Sequence, residues 1–133
     1  MKGKAELQYP KELKYSKTHE WIKEDEEGNS IIGVTDYAQK ELGDIVFIDM
    51  PEVGDDVIMG DSFADIESVK AVVDINSPVS GTIMEVNEEL LDAPELLNDD
   101  PYESWIVKIK DVTETEEIID ADAYRDYCET LED

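Results

Sequence analysis

From Glu41 to Val107 the sequence carries one basic side chain, Lys70, among eighteen Asp and Glu. A primary amine on a four-carbon stem can be acylated by a carboxylic acid to give a neutral amide, which the guanidinium of arginine does not offer. A lysine in so acidic a stretch is by default a solvated charge, so its neighbours must supply the reason to single it out. Other candidates for chemistry are few. His19 and Cys128 are the only histidine and cysteine, and one thiol makes neither an intramolecular disulfide nor a multi-thiolate metal site. No phosphate loop and no GxSxG element occur. No catalytic residue and no metal site is therefore assigned, and redox chemistry would have to come from an added group. His19, with no nucleophile or ligand cluster near it, reads as a packed or hydrogen-bonded side chain. Trp21 and Trp105 read as core or rim aromatics, and Cys128 as a small core residue.

The elements around Lys70 follow from punctuation and periodicity. Residues 1–13 form a polar lead-in, after which HEWIKEDEEGNSIIGV reads as a hairpin turned by Asp25, Gly28 and Asn29. Thr35 or Asp36 caps a short helix to Leu42, the spacing of Asp36 and Gln39 fits a capping box, and Gly43 supplies a left-handed stop. The runs IVFIDM, DVIM, SFADIE, AVVDI and TIMEV, separated by Gly, Pro and Asn, read as short strands. Many short strands imply a small all-β sandwich or flattened barrel. A shift of 27 residues lays Pro51, Gly54, Met59, Gly60, Asp61 and Phe63 on Pro78, Gly81, Val86, Asn87, Glu88 and Leu90. The pattern suggests two similar β-units, with Gly60 and Asn87 both tolerant of positive φ. The segment joining them, IESVKAVVDI, then puts Lys70 at a hairpin tip. Alternation points Ala64, Ile66, Val73 and Ile75 inward and Asp65, Glu67 and Asp74 outward. From Thr113 onward a helix is expected, with a Thr113–Glu116 capping box and one face built from Ala121, Tyr124, Cys128 and Leu131, Tyr127 beside it.

A chain of 133 residues fits one domain, here a 14–112 β core between the lead-in and a 113–133 helix. No apolar run approaches the roughly 20 residues of a membrane span, and the start lacks the apolar stretch of a secretory signal. A soluble, cytoplasmic monomer is expected. The net charge of -25 repels nucleic acid and anionic membrane and favours basic protein partners.

The run Glu67-Ser68-Val69-Lys70-Ala71, followed by SPVSG and EVNEEL, resembles the lipoylation segment of glycine cleavage system H proteins. KYSKTHEW, GVTDYAQKELGDIVFIDMPEVGDDV, PELLNDDPYESWIVKIK and the C-terminal segment also resemble H-protein segments, in H-protein order, over about residues 13–131. The resemblance implies a mainly β fold of two packed antiparallel sheets, related to lipoyl and biotinyl carrier domains, with a short helix and a C-terminal helix added. It implies a non-catalytic carrier with lipoate joined by an amide to Lys70, whose disulfide accepts the aminomethyl group left when glycine decarboxylase, a PLP enzyme, has acted. An aminomethyltransferase that uses tetrahydrofolate would then release ammonia and take the one-carbon unit. Dihydrolipoyl dehydrogenase would reoxidise the dithiol, and a lipoyl ligase or lipoyl/octanoyl transferase would load Lys70. Tethering raises the effective concentration of the disulfide at each successive active site.

The resemblance implies that the loaded arm lies in a cleft next to Thr18-His19-Glu20-Trp21 and the residues after the lysine. By position in that family, Glu20 and Asp74 are candidates to face its amine, and Val34 and Pro78 to line its path. Biotinyl segments typically flank their lysine with methionine, whereas Val69 and Ala71 flank it here. An H-like carrier serving lipoate relay or sulfur-compound oxidation would use the same lysine and fold. The charge of -25 would by itself suit an acidic structural adaptor. One departure from the family is the stretch after Asp100-Pro101-Tyr102. Many members have a glycine-containing segment there, while only Glu103 and Ser104 precede Trp105, so a shorter or differently turned loop is expected.

Overall fold

Turn chemistry and alternation organise the chain as nine strands and four helices in the computed structural model, which describes residues 7–131. The strands are β1 (Lys14–Tyr15), β2 (Glu20–Glu24), β3 (Ser30–Val34), β4 (Ile45–Asp49), β5 (Asp56–Val57), β6 (Ser62–Ser68), β7 (Val72–Asn76), β8 (Val79–Val86) and β9 (Val107–Thr115). The helices are α1 (Asp36–Leu42), α2 (Glu89–Asp92), α3 (Leu96–Asp99) and α4 (Ala121–Leu131). Six strands pair in the order β1-β2-β3-β9-β8-β5 and three in the order β4-β6-β7, all antiparallel. Side chains of both sheets meet in one core that includes Ile22, Ile32, Ile48, Ile66, Ile75, Ile83 and Ile109. Branched residues suit such pleated inner faces.

The hairpin of β2 and β3 turns where expected: Asp25 Oδ1 accepts the amides of Glu27 and Asn29, each at 2.9 Å, and Gly28 takes φ 85°. Trp21 lies across Gly33, where a Cβ would come within 2.6 Å of the indole, so only glycine fits beneath the ring. In α1 the cap is Thr35, which accepts from Ala38 N at 3.2 Å. Asp36 and Gln39 bond side chain to side chain at 2.7 Å, so the reciprocal capping box does not form.

The C-terminal expectation needs correcting. Thr113 lies inside β9, where Thr115 pairs with Val79 and Glu114 with Ser80, and Glu116 N donates to Pro78 O at 2.8 Å. Strand pairing satisfies these backbone groups and outweighs the local capping pattern. The helix starts at Ala121, with Asp120 Oδ1 accepting from Ala123 N at 2.9 Å. Its inward face carries Ala121, Tyr124 and Cys128 as expected, whereas Leu131 is exposed. Residues 132–133 and 1–6, the ends of the expected helix and lead-in, lie outside the described residues. The rest of the lead-in is less polar in its contacts than expected: Leu13 is buried, and Leu7 and Tyr9 pack on the cluster of Tyr15, Trp21, Tyr37 and Tyr124.

The 27-residue shift lays β4 on β7, but then fails, because Phe63 enters β6 while Leu90 sits in α2. Gly60 has φ 88°, whereas Asn87 is not in the positive-φ region. Val73 faces inward opposite Ile66 yet remains 36% exposed, because a cleft opens beside it. On the outer face of the small sheet, Asp49, Asp65 and Asp74 stand in one cross-strand row, as alternation predicts for the last two.

Candidate functional site

Lys70 stands exposed at the tip joining β6 to β7. Ser68 builds the turn. Its backbone N–H bonds Ala71 O at 2.8 Å, and its Oγ accepts the amides of Lys70 at 3.1 Å and Ala71 at 3.2 Å. The tip is fastened to the segment after α1 by Val69 N donating to Asp44 O at 3.0 Å. Asn98 in α3 holds that segment in turn, donating to Gly43 O at 2.8 Å and Gln39 Oε1 at 3.0 Å while accepting from Ile45 N at 2.9 Å.

Gly43 has φ 74° as a helix stop requires, but its ψ of -155° takes it out of the left-handed helical region expected from sequence and into one open almost only to glycine. A Cβ there would lie 3.4 Å from Lys70 Cε and 3.8 Å from Val69 Cγ2. The lysine stem therefore rests on a bare backbone. Gly43→Ala is expected to lower stability by about 1–3 kcal/mol through backbone strain, measured by urea denaturation. A change under about 0.3 kcal/mol would show that this turn relaxes freely.

Next to the tip a cleft of about 370 Å³ opens between β7 and the side formed by α1 and the Thr18–Glu20 segment. Ala71, one residue from Lys70, lines it, as do Val34, Ala38, Leu42, Ile66, Val73 and Ile75. Glu20 also lines the cleft, and its side chain is 1% exposed. Ser16 Oγ donates to Oε1 at 2.6 Å, Thr18 Oγ1 donates to the same oxygen, and Asn76 N donates to Oε2 at 3.3 Å. No cation pairs with this carboxyl among the described residues. Burial pushes it up to about 7, against the lowering pull of the Ser16, Thr18 and Asn76 bonds.

Of the residues proposed from sequence, Glu20, Asp74 and Val34 meet in this cleft, Asp74 at its rim where β7 also presents it to solvent. Pro78 does not line it; it is buried at the start of β8, where its carbonyl serves Glu116. His19 is held by its neighbours, as expected: Nδ1 lies 2.8 Å from the Tyr124 hydroxyl, the ring centroid lies 4.7 Å from that of Tyr37, and burial keeps the imidazole below its usual pKa. Trp21 Nε1 donates to Pro101 O at 3.0 Å, and Lys108 covers the face of Trp105 at 4.8 Å. The loop before Trp105 turns without glycine, with Ser104 N on Asp100 O at 3.1 Å and Ser104 Oγ on Leu96 O at 3.1 Å.

Thr18, in the segment placed beside the cleft by family resemblance, does line it, whereas sequence reasoning did not single out Ser16, Gly43, Asn98 or Tyr124 as parts of the site. For Ser16 a signal existed in the crowding of its hydroxyl and that of Thr18 just before Glu20. Asn98 and Tyr124 act across 59 and 105 residues of chain, which local pattern does not register. No helix among the described residues is long and apolar enough to cross a membrane.

A small two-sheet sandwich that braces one lysine on a hairpin tip, beside a cleft with apolar walls, defines a carrier domain of the lipoyl and biotinyl class. The family model of the glycine cleavage H-protein matches residues 13–131. The chain belongs to that family, the lipoyl carriers of the glycine cleavage system. It is 52% identical over 115 residues to the glycine cleavage system H protein of Lachnoclostridium phytofermentans, covering 86% of this chain and 91% of that one. It is 51% identical over 129 residues to the glycine cleavage system H protein of Halothermothrix orenii, covering 95% of this chain and 100% of the other. The crystal structure of a glycine cleavage system H protein from Mycobacterium marinum superposes with a TM-score of 0.82 at 36% identity, over 88% of this chain and 96% of that chain.

Proposed function

We propose that Lys70 is the residue that carries lipoate, that the cleft beside it receives the loaded arm, and that Glu20 and Asp74 face the amine which that arm then bears. The observation that carries this reading is a buried carboxyl without a cation at one part of a cleft that begins one residue from an exposed lysine. When bound, lipoate supplies a disulfide able to take up an aminomethyl group and to be regenerated by oxidation.

The chain's own residues fit such a group. Ala71, Val73 and Ile75 on one wall and Val34, Ala38 and Leu42 on the other present apolar surface to an alkyl arm. From Ala71 to Ile75 the extended backbone along one wall runs roughly 13 Å, against which an extended chain can lie. Glu20, held by three donors, gains a partner when a cation approaches, because a nearby positive charge favours the carboxylate. The rigid tip presents Lys70 to the protein that acylates it, a lipoyl ligase or lipoyl/octanoyl transferase, which must also supply a base to take the ammonium proton.

On this reading the whole chain works as one domain and a non-catalytic carrier. It visits glycine decarboxylase, aminomethyltransferase and dihydrolipoyl dehydrogenase, whose docking surfaces should be basic to match a net charge of -25. The test is site mapping: after incubation with lipoate, ATP and a lipoyl ligase, peptide mass spectrometry should find the lipoyl increment on residue 70. An increment on any other lysine, or none with an active ligase, overturns the assignment.

A further inference from the structure

Helix α4 contributes no lining residue to the cleft, yet one of its side chains holds two cleft-forming segments together. The Tyr124 hydroxyl is completely buried, 2.8 Å from His19 Nδ1 and 2.7 Å from Thr35 Oγ1. The same two residues are joined directly, Thr35 N donating to His19 O at 3.1 Å. Thr35 also caps α1, which carries the cleft residues Tyr37, Ala38, Glu41 and Leu42. His19 immediately precedes Glu20, lines the cleft itself, and sits at φ 75°. A residue other than glycine keeps that backbone conformation only where its surroundings hold it.

We infer that Tyr124 is a positioning residue, whose hydroxyl fixes the His19–Glu20 wall against the start of α1 and thereby sets how long a loaded arm stays in the cleft. The inference rests on the arm-parking reading given above. Tyr15 stacks on the Tyr124 ring at 4.7 Å between centroids and 4° between planes, so the ring has an anchor that does not depend on the hydroxyl. Removing the hydroxyl alone leaves the stack, while His19 Nδ1 loses its partner. The imidazole keeps its ring contacts with Tyr37, Tyr124 and Tyr127 but loses the bond that fixes Nδ1, so the strained bend that precedes Glu20 loses one of its restraints. Tyr127 on the same helix serves as the comparison, since it reaches neither His19 Nδ1 nor Thr35 through its hydroxyl.

The experiment compares full-length lipoylated wild type, Tyr124→Phe, Tyr127→Phe and Glu20→Gln. In protein without the aminomethyl load, 15N NMR of the His19 ring should show Nδ1 altered in Tyr124→Phe and unaltered in Tyr127→Phe. In loaded protein without transferase, ammonia release should be faster in Tyr124→Phe by roughly threefold to tenfold, the size expected for one hydrogen bond, and unchanged in Tyr127→Phe. If Tyr124→Phe does not fold, His19→Asn replaces it, since asparagine tolerates positive φ but is too short to reach Tyr124; the same faster release is expected. An unaltered His19 signal, or a lowered melting temperature with an unchanged release rate, overturns the inference. Faster release in Glu20→Gln alone overturns it while leaving the parking reading intact, and no change in Glu20→Gln removes the parking reading itself.

Discussion

Lys70→Arg should fold as stably as wild type and take up no lipoyl group. Its backbone amide bonds Ser68 Oγ, a contact that arginine keeps. Its side chain is exposed, with the stem passing beside Gly43. Surface changes of this kind usually cost within about half a kcal/mol. The guanidinium offers no acylable amine under these conditions, so incubation with lipoate, ATP and a lipoyl ligase should add no mass. Glycine-dependent reduction of NAD in the reconstituted system should fall to background. Lys108→Arg and Lys110→Arg should load normally, because both sit on β9 in the larger sheet, where Lys108 pairs with Glu85 at 3.5 Å. Loading that persists in Lys70→Arg, or unfolding in place of lost loading, would mean that the lysine or its role is wrongly assigned.

Glu20→Gln should act on stability and on the loaded arm with separable signatures. Burial raises the folded-state pKa of Glu20 from 4.5 to about 7, so the folded protein holds this proton more tightly than the unfolded chain. Stability from this group is fullest below pH 4.5 and falls as pH rises through the window up to about 7. One pKa unit corresponds to 1.36 kcal/mol, which makes the loss about 3 kcal/mol above that window. Glutamine does not titrate. The difference in unfolding free energy between Glu20→Gln and wild type should therefore move in the variant's favour between pH 4 and pH 8. A pH-independent difference would show that the carboxyl is not held up by burial. For the arm, Glu20→Gln combined with Asp74→Asn removes the charges proposed to face the amine. A hydrogen bond to a charged group contributes about 1.5–3 kcal/mol, so ammonia release without transferase should accelerate by roughly tenfold or more. Equal decay in variant and wild type would sink the parking assignment and leave the stability result standing.

Much of the site was readable because its signals are local. The hairpin of β2 and β3, the short helix from Asp36 to Leu42 and the Lys70 tip each depend on residues within a few positions of one another. The resemblance of the segments around it to a family then supplied the reason to propose lipoate on Lys70. What was not readable depends on distant partners. Thr113 and Glu116 look like a helix start, but β8 offered the chain a ladder to join. The short helices α2 and α3 are too brief to show periodicity. Val73 reads as core from alternation, yet the inner face at β7 is a cleft wall, and a sequence pattern does not separate a wall from a core. Family position alone puts Pro78 on the path of the arm; in this fold its carbonyl instead accepts from Glu116 N.

Among the described residues the small sheet ends in strands β4 and β7, each with one side left without a neighbouring strand. Such edges invite pairing with another chain, and here the apolar Val46, Phe47, Val72 and Val73 are all partly open to solvent. Asp49 and Asp74, one on each edge and both in the row that includes Asp65, make edge-to-edge stacking of two molecules bring carboxylates together. Like charges directly opposite each other are unfavourable. The same row that weakens the sheet within one molecule therefore works against edge-to-edge pairing of two molecules, a cost in stability that opposes growth of the sheet from either open edge.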